Sequence, residues 1–119
     1  MLLGDRNSVT GTPGEDPDHP IVERPWEWQI AEFRYVRDLP TESNSFIELT
    51  LTRAGVIRRL RFRAPRDIQI EPGFPRPTGG IRILDIRARQ WDGIGVEMAD
   101  FESSHGAVTF RARDVIALE

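Results

Sequence analysis

From residue 46 onward, apolar and polar side chains exchange places at every second position, and this rhythm narrows the possible folds more than any other feature. In "FIELTLT" (46–52), Ile47, Leu49 and Leu51 share one side while Glu48, Thr50 and Thr52 share the other. In "VIRRLRFRA" (56–64), Leu60, Phe62 and Ala64 alternate with Arg59, Arg61 and Arg63. A period of two is the pleat of a β-strand, whose successive side chains point to opposite faces. Ala54-Gly55 between the two runs predicts a tight hairpin.

Further runs follow. "DIQIE" (67–71) reads as a short strand stopped by the Pro/Gly loop "PGFPRPTGG", with Phe74 in its middle. "IRILDIRARQ" (81–90) and "IGVEMADF" (94–101) flank Trp91-Asp92-Gly93, where Asp-Gly predicts a type I′ turn with positive φ at both central residues. The apolar phase of 81–90 slips between Ile83 and Leu84, which predicts a bulge or burial on both faces. "AVTFRARDVIAL" (107–118) closes the series, with Val108, Phe110 and Ala112 inward and Thr109, Arg111 and Arg113 outward.

"RPWEWQIAEFRYVRDLP" (24–40) reads two ways. As a helix it aligns Trp26, Ile30, Phe33 and Arg37. Its aromatic and β-branched content favours a strand with a bulge after Ile30. Residues 1–20, rich in Gly, Pro and acids, lack periodicity and read as an irregular arm. The expectation is an all-β domain over residues 21–119: an antiparallel meander of six or seven strands forming a sandwich or open barrel.

A chain of 119 residues is large enough for a single domain to bury a core without staples, and this one has no cysteine to make them. With no thiolate and no lysine, covalent catalysis through either is excluded. No stretch approaches the roughly 18 apolar residues of a membrane helix, and "MLLGDRN" carries no apolar signal core, so cytoplasmic residence is expected. All 16 basic residues are arginine. Residues 1–52 hold 4 of them against 10 acids, a net of −6, and residues 53–119 hold 12 against 9, a net of +3.

Candidate chemistry is thin. The arginines of 56–64 fit a wet strand face, since nucleic-acid binding wants interleaved stacking aromatics and Phe62 points the other way. Nucleic acid is therefore not an expected partner. Asp16, Asp18 and His19 resemble half a metal site, but no further ligands stand at a recognisable spacing, and neither a metal nor a cofactor is expected. Ser103-Ser104-His105 are adjacent on a turn, with no nucleophile elbow nearby, so no catalytic residue is assigned. The carboxylates Asp92, Glu97, Asp100 and Glu102 lie along one hairpin arm and offer a negative surface to a basic partner. Trp91, beside the turn, is a candidate interface anchor.

"VIRRLRFRAPRDIQI" (56–70), "IRILDIRARQ" (81–90) and "GIGVEMADFESSHGAVTFRARDVIAL" (93–118) resemble the C-terminal half of small β-rich bacterial immunity proteins, the antidotes of polymorphic toxin systems. The likeness lies in a Leu-x-Phe strand, an Asp-Ile-x-Ile segment, an isoleucine-rich strand and a Gly-led strand ending near Phe-x-Ala-x-x-Val. It implies a non-enzymatic protein that binds and blocks a cognate toxin domain in its own cytoplasm. Trp91, Asp92, Glu97, Asp100 and Glu102 are the expected partner-binding residues. The competing expectation is a small β-sandwich or barrel that binds a small ligand or self-associates as a homo-oligomer.

Overall fold

The computed structural model describes residues 16–74, 80–100 and 107–118. Among the described residues, eight strands form two four-stranded antiparallel sheets. They are β1 (Gln29–Val36), β2 (Phe46–Arg53), β3 (Val56–Arg63), β4 (Arg66–Ile70), β5 (Ile81–Asp85), β6 (Val96–Asp100), β7 (Val108–Ala112) and β8 (Asp114–Leu118). The first sheet runs β1-β2-β3-β8 and the second β4-β7-β6-β5.

The period-two reading of the second half holds: Ile47, Leu49, Leu51, Leu60, Phe62, Val108, Phe110 and Ala112 are all buried. They meet between the sheets, where Phe62 packs edge-on to Phe110 with ring centroids 4.9 Å apart and Phe33 packs on Phe110 at 6.4 Å. The strand reading of 24–40 also holds. The register slips between Ile30 and Glu32, which lets Ile30 and Phe33 pack against the same core despite their odd spacing.

Three expectations change in detail. The run 107–118 breaks at Arg113 into β7 and β8, one in each sheet, which brings the strands to eight. A matching crossing occurs at Ala64-Pro65 between β3 and β4, with Ala64 at φ 51°. The two crossings lie together, because the Arg113 N–H donates to the Arg63 carbonyl at 2.8 Å. Strands that bend from one sheet into the other form the corners of a sandwich or open barrel. Pairing is therefore not that of a simple meander: β3 pairs β8 and β4 pairs β7.

The Asp92-Gly93 hairpin is looser than expected. β5 ends at Asp85, a 3-10 turn follows at Arg87–Arg89, and β6 starts only at Val96. Gly93 takes φ 72° and Asp92 is not among the positive-φ residues, while the Ile94 N–H donates to the Trp91 carbonyl at 3.1 Å. Positive φ at the third position alone is the pattern of a type II turn, not I′. The tight type I′ hairpin occurs at Ala54-Gly55, with φ 49° and 84°.

The phase slip at Ile83-Leu84 resolves as burial on both faces. Ile83 joins the main core, and Leu84 packs outside the sheet with Ile86 and Ala99. The arm pairs along the edge of β5 there: Asp18 bridges Leu84, the His19 N–H donates to the Ile83 carbonyl at 2.8 Å, and the Asp85 N–H donates to the Pro17 carbonyl at 2.9 Å. The described end of the arm thus protects the β5 edge.

Candidate partner-binding site

The 3-10 turn Arg87–Arg89 ends at Gln90 in the left-handed region, φ 59°, and this reversal directs the chain into Trp91. Trp91 remains 42% exposed although two guanidinium groups hold its ring, Arg89 at 4.8 Å and Arg111 at 5.0 Å from the centroid. Each such contact is worth about 0.5–2 kcal/mol, depending on how dry it is. A half-exposed indole whose ring is already clamped loses little freedom when a partner covers it.

The clamp has a buried root. The Arg89 side chain is 2% exposed and meets the Asp16 carboxylate, itself 1% exposed, with Nε donating to Oδ2 at 3.1 Å and Nη2 also donating to that oxygen. Arg89 Nη1 lies 3.3 Å from Glu97 Oε1, Arg111 Nε lies 3.9 Å from the same oxygen, and Arg111 Nη1 donates to Asp67 Oδ2 at 3.2 Å. The network runs Asp16–Arg89–Glu97–Arg111–Asp67 and ties the arm, the 3-10 turn, β6, β7 and β4 together. Glu97 Oε1 and Arg111 Nε are buried and, among the described residues, lack a partner of hydrogen-bond geometry. A 120 Å³ recess opens beside them, lined by Asp67, Gln69, Glu97, Thr109 and Arg111.

The expected site residues separate on this frame. Trp91 and Glu97 come together through the two arginines, and Asp92 is exposed on the turn beside Trp91. Glu97 is not an open surface charge, because its side chain is only 15% exposed and holds the network. Asp100 lies three positions along β6, in phase with the core residues Val96 and Met98, so it does not share the outer face of Glu97. Glu102 lies outside the described residues, as do Ser103, Ser104 and His105. Sequence reasoning did not reach Asp16, Asp67, Arg89 and Arg111 as site residues. The outward phase of Arg111 was legible, but its meeting with Asp67 and Trp91 depends on which strands pair.

Each group of the would-be metal cluster in the arm has another task. Asp16 holds Arg89, Asp18 accepts from Arg82 Nη2 at 2.5 Å, and His19 Nδ1 accepts from the Ile21 N–H at 3.1 Å. Burial holds the His19 imidazole below its ordinary pKa, with Arg87 acting in the same direction and Asp85 against it.

Two of the four β3 arginines, Arg61 and Arg63, are paired with acids on the outer face. Glu48 on β2 sits between Arg61 on β3 and Arg34 on β1, with Arg34 Nη1 donating to Glu48 Oε1 at 3.0 Å and Arg61 Nε donating to Oε2 at 3.1 Å. The Arg61 guanidinium also lies 4.2 Å from the Phe46 ring centroid. Arg63 chelates Asp114 on β8, its Nε and Nη2 donating at 2.7 and 2.6 Å. These hydrogen bonds hold the Glu48 and Asp114 carboxyls below their usual range. At the hairpin end, Arg53 and Arg58 lie 4.7 and 5.8 Å from the ring centroid of the buried Trp28.

Among the described residues no helix is long and apolar enough to cross a membrane. The fold defines a two-sheet antiparallel β domain that displays an arginine-clamped tryptophan. Comparison with protein-family models, with curated proteins and with solved structures yields no match.

Proposed function

We propose that this chain is a non-enzymatic protein-binding module of the immunity-protein kind, which neutralises a cognate toxin domain by covering it with the face around Trp91. The observation that carries the proposal is the clamped, 42% exposed indole. Interface energy concentrates in aromatic anchors and arginines that are already positioned, and this face offers Trp91 and the partly exposed Arg111, with Arg89 buried behind the ring as support. Asp92 beside the ring and the chain's net charge of −3 suit a basic partner, whose approach they would steer. The resemblance of residues 56–118 to immunity proteins supports the same reading and supplies the partner class.

The experiment pairs the chain with the toxin domain encoded beside it, reading growth rescue and calorimetric affinity. Trp91→Ala is expected to weaken binding by about 2 kcal/mol or more, roughly thirtyfold, with the chain still folding cooperatively at a melting temperature lowered by the loss of the two guanidinium contacts. Full affinity in that variant removes this face from the interface. A specific observation also favours self-association as a second reading: among the described residues the outer edge of β1 has no partner strand. Sedimentation equilibrium of the chain alone separates the two.

A further inference from the structure

Most described arginines meet a carboxylate within salt-bridge distance; Arg58, Arg59, Arg66 and Arg113 do not, among the described residues. Arg58 rests over Trp28, and Arg59 stands on the open face of β3. The other two line the same recess. It has a volume of 260 Å³ and lies where the two sheet crossings meet, with Ser43 and Gly93 also in its wall.

The fold forces this meeting. Arg66 begins β4 directly after the Ala64-Pro65 corner, and Arg113 is the single residue between β7 and β8. The corners are locked by the Arg113 N–H donating to the Arg63 carbonyl at 2.8 Å and the Ala64 N–H donating to the Ser45 carbonyl at 2.8 Å. The backbones approach so closely that a Cβ on Gly95 would stand 2.7 Å from the Arg113 carbonyl oxygen. The nearby acids are already engaged. Glu42, also in the wall, accepts from Arg37 Nε at 2.8 Å, and both Asp114 oxygens are held by Arg63. Arg66 and Arg113 thus line one concave site in which the lining carboxylate, Glu42, is already paired with Arg37, and Asp114, whose charge also acts on Arg113, is chelated by Arg63. Concave walls focus the guanidinium field, and planar guanidinium forks match tetrahedral oxyanions. The volume far exceeds the roughly 15 Å³ that admits one water.

We propose that the recess lined by Arg66, Arg113 and Ser43 is a binding site for a tetrahedral oxyanion of the phosphate class. Arg66 and Arg113 supply charge-assisted hydrogen bonds and the Ser43 hydroxyl donates a neutral one. This inference stands apart from the Trp91 face, so either can fail without the other.

The test titrates inorganic phosphate into the intact chain by calorimetry and follows the Ser43 and Gly93 amides by NMR. One saturable site is expected, with those amides shifting along the same isotherm. Arg66→Gln and Arg113→Gln are each expected to weaken it about tenfold or more. Arg59→Gln removes an unpaired arginine outside the recess and is expected to leave the affinity within twofold. Because Arg113 sits at a corner, Arg66→Gln serves as the variant that leaves the crossing backbone untouched. Absence of saturation, wild-type affinity in both recess variants, or an equal loss in Arg59→Gln overturns the site. Acetate binding as tightly as phosphate overturns the assignment to the phosphate class.

Discussion

Arg89 is the residue on which the candidate interface hangs, because one guanidinium serves three neighbours: it donates twice to Asp16 Oδ2, lies beside Glu97 and backs the Trp91 ring. Desolvating such a pair is costly, so removing one partner leaves a buried charge without compensation. Asp16→Ala is accordingly expected to lower unfolding free energy by about 3–5 kcal/mol in chemical denaturation. Arg89→Lys is expected to recover only part of that stability, since an ammonium cannot bond the carboxylate and stack flat on the indole together. A loss below about 1 kcal/mol for Asp16→Ala would mean that the arm does not rely on this bond.

At the scale of the element, the β2–β3 hairpin carries an improvable turn. Ala54 adopts φ 49°, a left-handed conformation that costs a residue with an ordinary Cβ roughly 1–2 kcal/mol. Asn tolerates that region and favours the first central position of a type I′ turn before Gly. Ala54→Asn is expected to stabilise the chain by about 0.5–1 kcal/mol, read as a higher urea midpoint with an unchanged slope. β1 shows how an element can obey its pattern only through a defect. Trp28, Ile30 and Phe33 cannot share a face of a regular strand, and the bulge at Ile30–Glu32 reconciles them.

For the whole molecule, pH dependence follows from groups on several elements at once. Glu48, Asp85 and Asp114 have folded pKa values depressed below 4.5, 3.8 and 3.8 by the hydrogen bonds of Arg61, Arg87 and Arg63, respectively. Their contribution is present above those values and is lost as pH falls through the folded ones. His19 is depressed below 6.5 by burial, so the folded state favours the neutral ring whose Nδ1 accepts from Ile21. Its contribution is likewise present above 6.5 and is lost as pH falls through the folded value. Thermal melts from about pH 8 to 3 should therefore show a first decline below 6.5 and a second, larger one in the carboxylate range. His19→Asn should remove the first decline and leave the second. A profile flat down to about pH 5 in the wild type would show that the arm does not report on His19.

Much of this architecture was legible from residue order alone. A strand sends alternate side chains to opposite faces, so Leu60, Phe62, Val108 and Phe110 declared their burial, and the arginines between them their exposure, without reference to any neighbour. The bulge at Ile30 and the two-sided burial around Leu84 were legible for the same reason, as places where that local rhythm fails. Pairing was not. Asp16 meets Arg89 across 73 positions and Asp67 meets Arg111 across 44, and such contacts depend on which strands lie side by side. The corner at Arg113 was equally missed, although the buried phase shifts there from Val108, Phe110 and Ala112 to Val115, because a phase shift alone does not say which sheet the next strand joins. Side-chain direction is a property of the local backbone and could be read along the chain, whereas charge partnership, the clamp on Trp91 and the recess at Arg66 and Arg113 exist only once distant segments are packed together.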